Sequence, residues 1–146
     1  MKRYQEVSRQ IMNIFDSFSP LVEQLSVDEA FLDISGMELL AGSERDIGFK
    51  VKRSIKEKTG LTASVGIAPN KFLAKLASDM QKPDGLVVIR AEEAEGMLKP
   101  MSVRRIFGIG RSAEKSLLQF GIATIGQIAD ADLGILRKAL GNNAVW

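Results

Sequence analysis

The sequence predicts an α+β fold in which helices cover a mainly antiparallel sheet, followed by a small all-α region. Short apolar runs of strand-forming residues alternate with amphipathic segments of helical period through the first part of the chain. Near Arg90 the strand patterns stop, and short helical patterns separated by glycine begin. We therefore expect two domains, residues 1–89 and residues 90–146.

Three amphipathic helices are expected in the first domain. Residues 4–18 place apolar side chains at helical spacing until a Ser-Pro pair ends the pattern. Ser43 can cap a second helix that ends at Gly60, and Asn70 can cap a third. Because the chain begins almost directly on a helix, we expect it to be part of a larger protein.

The stretch from Val22 to Ile34 predicts a β-hairpin with two adjacent acids at its bend. Neighbouring residues of a regular strand face opposite ways, so Asp28 and Glu29 can converge on one ion only at a bend. Asp33 shares a face with Glu29 but lies roughly 13 Å further along the strand. That is too far for a shared magnesium ion, whose ligands lie at about 2.1 Å. Asp28 and Glu29 are the candidate metal ligands, and Asp33 is expected to be solvated or structural.

Two further strands complete the predicted sheet. Residues 61–68 predict a buried strand, and the small side chains of Ala63, Ser64 and Gly66 permit the close approach of a neighbour. An Asp-Gly turn then leads into a short strand at residues 86–89.

The composition excludes several classes of site. The 146 residues contain no cysteine and no histidine, which excludes disulfides, zinc fingers and histidine-dependent catalysis. Any metal must be held by oxygen ligands, which favours magnesium, manganese or calcium. No apolar run is long enough to span a bilayer and no signal peptide pattern is present, so we expect a soluble, cytoplasmic protein without a membrane partner.

The charge is unevenly distributed although the formal net charge is only +2. Residues 1–49 carry four basic and nine acidic side chains, for a net charge of −5. Residues 50–89 carry eight basic and three acidic side chains, for a net charge of +5. Residues 90–146 carry eight basic and six acidic side chains, for a net charge of +2. An acidic site beside a basic segment suits a metal with a phosphate-bearing ligand, but this asymmetry is common and decides nothing alone.

Lysines of the basic segment differ in what they can do. Lys71 and Lys75 share one side of the third helix, where lysines are usually solvated. Lys82 begins a Lys-Pro-Asp-Gly turn, whose rigidity can aim its ammonium at a phosphate.

A second candidate site lies at a Gly-Ile-Gly turn between two helical segments of the second domain. Ile109 can plug the core and Ser112 can cap the next helix, which is the pattern of a helix-hairpin-helix. Gly108 and Gly110 let backbone amides approach a phosphate closely, and Arg111 adds charge. An ordinary tight turn is the alternative.

Four motifs together resemble Y-family translesion DNA polymerases of the bacterial DNA polymerase IV type. They are Ser-Val-Asp-Glu-Ala-Phe-Leu-Asp at residues 26–33, Ala-Ser-Val-Gly-Ile-Ala-Pro-Asn-Lys-Phe-Leu-Ala-Lys-Leu-Ala-Ser-Asp-Met at residues 63–80, Lys-Pro-Asp-Gly at residues 82–85, and the Gly-Ile-Gly turn at residues 108–110. The resemblance runs from Tyr4 to Trp146. It implies a partial palm subdomain for residues 1–89 and a helix-hairpin-helix thumb for residues 90–146.

The resemblance also implies roles for individual residues. Asp28 and Glu29 would be catalytic carboxylates that hold two Mg²⁺ ions for nucleotidyl transfer, and Lys82 would contact the triphosphate of a deoxynucleoside triphosphate. The thumb turn would grip primer-template DNA through Phe107, Gly108, Ile109, Gly110, Arg111 and Ser112. A sliding clamp would be contacted through regions outside these residues.

The same resemblance predicts what this chain does not do. The N-terminal palm strand with its own aspartate, the fingers and the little finger are not recognised in these residues, so we expect no polymerisation by the chain alone. Two other interpretations stay open: a non-catalytic helix-hairpin-helix module that binds duplex DNA, and a plain α+β protein that shares only surface patterns.

Overall fold

The computed structural model describes residues 2–141, and the chain divides into two compact units, Met1–Ile89 and Arg90–Trp146. The first unit mixes helices with strands, and the described part of the second is helical. Each unit has a buried apolar cluster of its own. Among the described residues, no helix is both long and apolar enough to cross a membrane.

The first unit contains four helices and four strands in its described residues. In chain order they are α1 (Lys2–Asp16), β1 (Val22–Gln24), β2 (Ala30–Leu32), α2 (Glu38–Ala41), α3 (Glu44–Thr59), β3 (Val65–Ile67), α4 (Lys71–Met80) and β4 (Leu86–Val88), and α5 (Ala91–Leu98) follows at the start of the second unit. The short helix α2 was not predicted, and every strand is shorter than the apolar run that predicted it.

The expectation of one mainly antiparallel sheet is wrong for the described strands. β1 and β2 form an antiparallel pair in which Glu23 faces Phe31, whereas β3 and β4 form a separate parallel pair in which Gly66 faces Val87. The reason is the connection: α4 carries the chain back across its own sheet, so β4 runs in the same direction as β3.

The helix boundaries follow the predicted capping residues. The Ser43 hydroxyl accepts a hydrogen bond from the Asp46 amide, and the Asp46 carboxylate accepts one from the Ser43 amide, which closes a capping box. Gly60 ends α3 in the left-handed conformation, with φ of +74°. Asn70 caps α4 by accepting the Leu73 amide at 2.9 Å. These local predictions are confirmed.

The core of the first unit lies between α1 and α3. Ile14, Val51 and Ile55 are almost fully buried, and Phe15 and Val65 pack against them. Hydrophobic burial of this kind is the main stabilising term available to a unit of this size.

β3 and α4 approach each other closely at Gly66. A Cβ atom added there would lie 2.1 Å from the Ala74 carbonyl oxygen and 2.3 Å from the Ser78 nitrogen. The predicted need for a small residue is therefore confirmed, and this approach sets how near α4 lies to the sheet.

The second unit packs short helices around another cluster. After α5 come a 3-10 helix (Val103–Arg105), α6 (Arg111–Gln119), α7 (Ile125–Asp130) and α8 (Leu133–Leu140). Val103, Leu117, Ile122 and Ala139 are buried together, and Ile109 packs against them as predicted. The expected stop after α8 is confirmed at Gly141, whereas the Asn-Asn pair at residues 142–143 lies outside the described residues.

We expect Gly66→Ala to lower the free energy of unfolding by about 1–3 kcal/mol, because the new methyl group overpacks the contact between β3 and α4. Urea unfolding followed by circular dichroism measures this change. The matched control is Gly96→Ala inside α5, where an added Cβ meets nothing within 4 Å, and there we expect no loss of stability. Equal effects of the two changes would contradict the packing argument.

Candidate metal and nucleotide site

The turn of the β1–β2 hairpin holds the two candidate metal ligands. The amides of Leu25 and Ser26 both donate to the Glu29 carbonyl, at 2.9 and 3.1 Å, and close the turn. Asp28 is therefore exposed at the bend, and Glu29 lies directly before β2. The Ser26 hydroxyl donates to Asp28 Oδ1 at 2.7 Å, which orients that carboxylate. The two acids lie at the bend where the sequence predicts them.

Glu29 forms an ion pair with a lysine of α4. Lys75 Nζ lies 2.6 Å from Glu29 Oε1, and the side chains are only 17% and 33% exposed, respectively. A pair with this much shielding from water interacts more strongly than an exposed surface pair. The contact ties the hairpin to α4.

Two further ion pairs link Lys75 through Asp79 to Lys82, the candidate residue for nucleotide binding. Lys75 Nζ also lies 3.2 Å from Asp79 Oδ2, and Lys82 Nζ lies 2.6 Å from Asp79 Oδ1. Charges therefore alternate from Glu29 through Lys75 and Asp79 to Lys82. We call these four residues the ion relay.

The shifted pKa values of Lys75 and Asp79 favour the charged form of both residues. Desolvation lowers the pKa of Lys75, but hydrogen bonds to Glu29 and Asp79 and the charges of both outweigh it, so the pKa is raised. Desolvation raises the pKa of Asp79, but hydrogen bonds from Lys82 and Lys75 and their charges outweigh it, so the pKa is lowered.

Both acids and Lys82 border one cavity of about 490 Å³ in the first unit. Its wall includes Glu29, Lys75 and Lys82 of the ion relay together with apolar side chains of α3 and β2. Lys82 is half exposed, so its ammonium is accessible to a ligand. The structure thus brings Asp28, Glu29 and Lys82 to one cavity, although Lys82 lies more than fifty residues from the two acids in sequence.

The carboxylates of Asp28 and Glu29 are suitable ligands for a hard cation, but two ligands are few for such a site. Adjacent carboxylates are the ligands that Mg²⁺ prefers, and Glu29 would have to exchange Lys75 for the ion. Within residues 2–141 no group of three or more acids is arranged to hold a metal. Asp33 is exposed and accepts hydrogen bonds from the Ser35 hydroxyl and amide, which hold its pKa below its usual range. It is a structural acid.

Sequence reasoning missed the roles of Lys75 and Asp79. The helical pattern predicts that Lys75 is solvated, as for Lys71, yet the Lys75 side chain is mostly shielded from water. Lys71 pairs separately with Glu23. The i,i+4 spacing of Lys75 and Asp79 was a usable signal for their mutual contact. Nothing local in the sequence indicates the contact with Glu29.

In the second unit, the Gly-Ile-Gly turn has the features needed to approach a phosphate. Gly108 has φ of +93°, where glycine is favoured, and a Cβ on Gly110 would meet nothing within 4 Å. Phe107 and Arg111 are exposed on either side. The open space beside Gly110 leaves the first amides of α6 accessible.

The predicted N-cap role of Ser112 is wrong. α6 begins at Arg111 with Gly110 in the N-cap position, and no side chain caps it. Gly110 has an extended backbone, with φ of −82° and ψ of 179°, so the chain enters the helix two residues earlier than predicted. Ser112 is instead an exposed residue of the first turn.

We expect Asp79→Asn to lower the free energy of unfolding at pH 7 by about 1 kcal/mol, because two ammonium groups lose their shared carboxylate. The folded pKa of Asp79 is lowered, so its stabilisation is complete above the unfolded pKa of about 3.9 and is lost as pH falls through the folded value. Urea unfolding between pH 7 and pH 2.5 should show the two stability curves converging in acid. A difference independent of pH would contradict this.

Comparison with known proteins identifies the family. The profile of the impB/mucB/samB family matches residues 1–79. The chain is 41% identical over 142 residues to DNA polymerase IV of Treponema denticola, which covers 97% of this chain and 36% of that protein. It is 45% identical to DNA polymerase IV of Pelotomaculum thermopropionicum, over 94% of this chain and 34% of that protein. The chain spans about a third of the length of these curated relatives.

Solved structures agree with the sequence comparisons. The crystal structure of DinB from Sulfolobus solfataricus superposes with a TM-score of 0.89 at 34% identity, covering 99% of this chain and 43% of that chain. An insertion ternary complex of Dbh DNA polymerase superposes with a TM-score of 0.91 at 34% identity, covering 99% of this chain and 42% of that chain. The chain belongs to the impB/mucB/samB family, and the solved structures that it matches are Y-family DNA polymerases.

Proposed function

We propose that this chain is the palm and thumb portion of a DNA-directed DNA polymerase that carries out translesion synthesis. Residues 1–89 would form part of the palm and residues 90–146 the thumb. The observation that carries the proposal is the convergence of Asp28, Glu29 and Lys82 on one cavity. The relatives named DNA polymerase IV support it, although they extend well beyond the matched region.

In the proposed reaction Asp28 and Glu29 hold the metal, and Lys82 binds the nucleotide. When bound, two Mg²⁺ ions supply the charge that activates a primer 3′-hydroxyl and neutralises the triphosphate. Ser26 orients Asp28 through its hydroxyl, and Lys75 pairs with Glu29 until a cation replaces it. Lys82 adds positive charge on the side of the leaving pyrophosphate.

The thumb portion would hold the DNA without reading its sequence. The first amides of α6, which follow Gly110, can donate to a backbone phosphate, and Arg111 can add a charge-assisted contact. Primer-template DNA and a deoxynucleoside triphosphate are the proposed substrates, and a sliding clamp is a proposed partner of regions outside these residues. The solved ternary complex of a Dbh DNA polymerase is consistent with this choice.

The proposal is tested by Mn²⁺ binding to the purified chain, measured by isothermal titration calorimetry. We expect weak binding, because the described residues supply only two converging carboxylates, and we expect Asp28→Asn to weaken it about tenfold. Asp33→Asn is the matched control, since it removes the same charge from the same hairpin, and it should bind as the unchanged chain does. Equal loss in both variants would show non-specific attraction and contradict the proposal.

The alternative of a non-catalytic duplex-binding module is distinguished by DNA binding. Fluorescence anisotropy with a labelled duplex at several salt concentrations measures that affinity. Salt-sensitive binding unaffected by Asp28→Asn, together with no Mn²⁺ binding, would favour the alternative. Absence of DNA binding at low salt would favour a plain α+β protein.

A further inference from the structure

The turn that follows Lys82 is held from a different helix by a single lysine. Lys52 of α3 directs its ammonium at Asp84 and Gly85, thirty-two and thirty-three residues away in the chain. It donates to the Asp84 carbonyl, to Asp84 Oδ1 at 2.8 Å and to the Gly85 carbonyl at 3.1 Å. Three acceptors match the three N–H groups of an ammonium.

This contact differs from an ordinary surface ion pair. The Lys52 side chain is 13% exposed, whereas that of Asp84 is 55% exposed. Two of the three acceptors are backbone carbonyls, so the ammonium binds the path of the main chain as well as a carboxylate. The partly buried Gly85 carbonyl also accepts the Val65 amide at 3.0 Å, so loss of Lys52 would remove one of its two donors together with the donor to the more exposed Asp84 carbonyl.

The turn itself has little freedom beyond this anchor. Asp84 adopts φ of +59°, and the Gly85 amide donates to the Ser64 hydroxyl at 3.3 Å. A Cβ on Gly85 would lie 2.4 Å from the Gln81 carbonyl oxygen, so the turn packs against the end of α4. Lys82 lies between this packed turn and α4, and its ammonium is held by Asp79 on the α4 side.

We propose that Lys52 is a positioning residue for Lys82. By fixing the backbone of Asp84 and Gly85, Lys52 sets the direction in which the Lys82 side chain leaves the turn and keeps its ammonium at the edge of the cavity. This inference rests on the proposed function, because it concerns the same triphosphate contact. The ligand chemistry is a polyphosphate anion, and Lys52 itself does not contact it.

The test is titration of the intact chain with inorganic tripolyphosphate in low-salt buffer containing a chelator, so that no metal takes part. Isothermal titration calorimetry gives the affinity, and carbon-13 spectra of the lysine ε-methylene groups report on Lys82 individually. We expect Lys52→Met to weaken binding about fivefold and to reduce the response of the Lys82 signal, because a misdirected ammonium loses its contact. Lys52→Arg keeps a donor to the same carbonyls and should restore most of the affinity.

Two controls separate positioning from simpler effects. Lys58→Met removes the same charge from an exposed position of α3 and should leave binding within twofold of the unchanged chain. Ile14→Val destabilises the buried cluster between α1 and α3 at a residue that does not line the cavity, and it should also leave the Lys82 response intact. Circular dichroism establishes that each variant is folded before titration.

The outcomes distinguish this inference from the proposed function. If Lys82→Met loses binding while Lys52→Met binds as the unchanged chain does, the positioning role is wrong and the nucleotide role of Lys82 stands. If Lys82→Met also binds normally, both are wrong, because Lys52 would have no phosphate ligand to position. If Lys58→Met lost as much affinity for tripolyphosphate as Lys52→Met, the effect would be explained by net charge alone, and the inference would be wrong.

Discussion

The ion pair between Glu29 and Lys75 is the contact on which the candidate site depends. It joins a hairpin and a helix whose paired residues lie 46 positions apart, at a distance of 2.6 Å. Because both side chains are largely shielded from water, removal of Lys75 would leave the Glu29 carboxylate without its partner, whereas Lys75 would keep Asp79 if Glu29 were removed. Through Asp79 the same lysine is linked to Lys82, so one shielded cation organises both the acidic and the basic side of the cavity.

This arrangement also accounts for how two adjacent acids are tolerated without a metal. Asp28 and Glu29 would repel each other if both were ionised without a nearby cation. Asp28 is exposed to water and accepts a hydrogen bond from Ser26, while Glu29 is neutralised by Lys75. A divalent cation at the hairpin would therefore compete with the Lys75 ammonium for Glu29. The free energy gained when the cation binds is smaller than two unpaired carboxylates would provide.

Local features of the fold were predictable from the sequence, and non-local ones were not. The caps at Ser43 and Asn70 and the acids at the bend depend on short-range chemistry, which a spacing of a few residues reveals. The parallel pairing of β3 with β4, by contrast, depends on the path of α4 through space. The contact between Lys75 and Glu29 likewise joins elements that are distant in the chain, and it has no local signature. The N-cap error at Ser112 arose because either glycine or serine can fill that position.

The most direct test of the account is where a cation binds, which paramagnetic line broadening by Mn²⁺ measures residue by residue in amide spectra. The account predicts that substoichiometric Mn²⁺ broadens the signals of residues 25–31 first and those of Lys75 and Asp79 next. Asp28→Asn should remove this pattern, and Asp33→Asn should preserve it. Broadening centred on any other acidic segment, or spread evenly over the chain, would contradict the claim that the hairpin acids form a metal site.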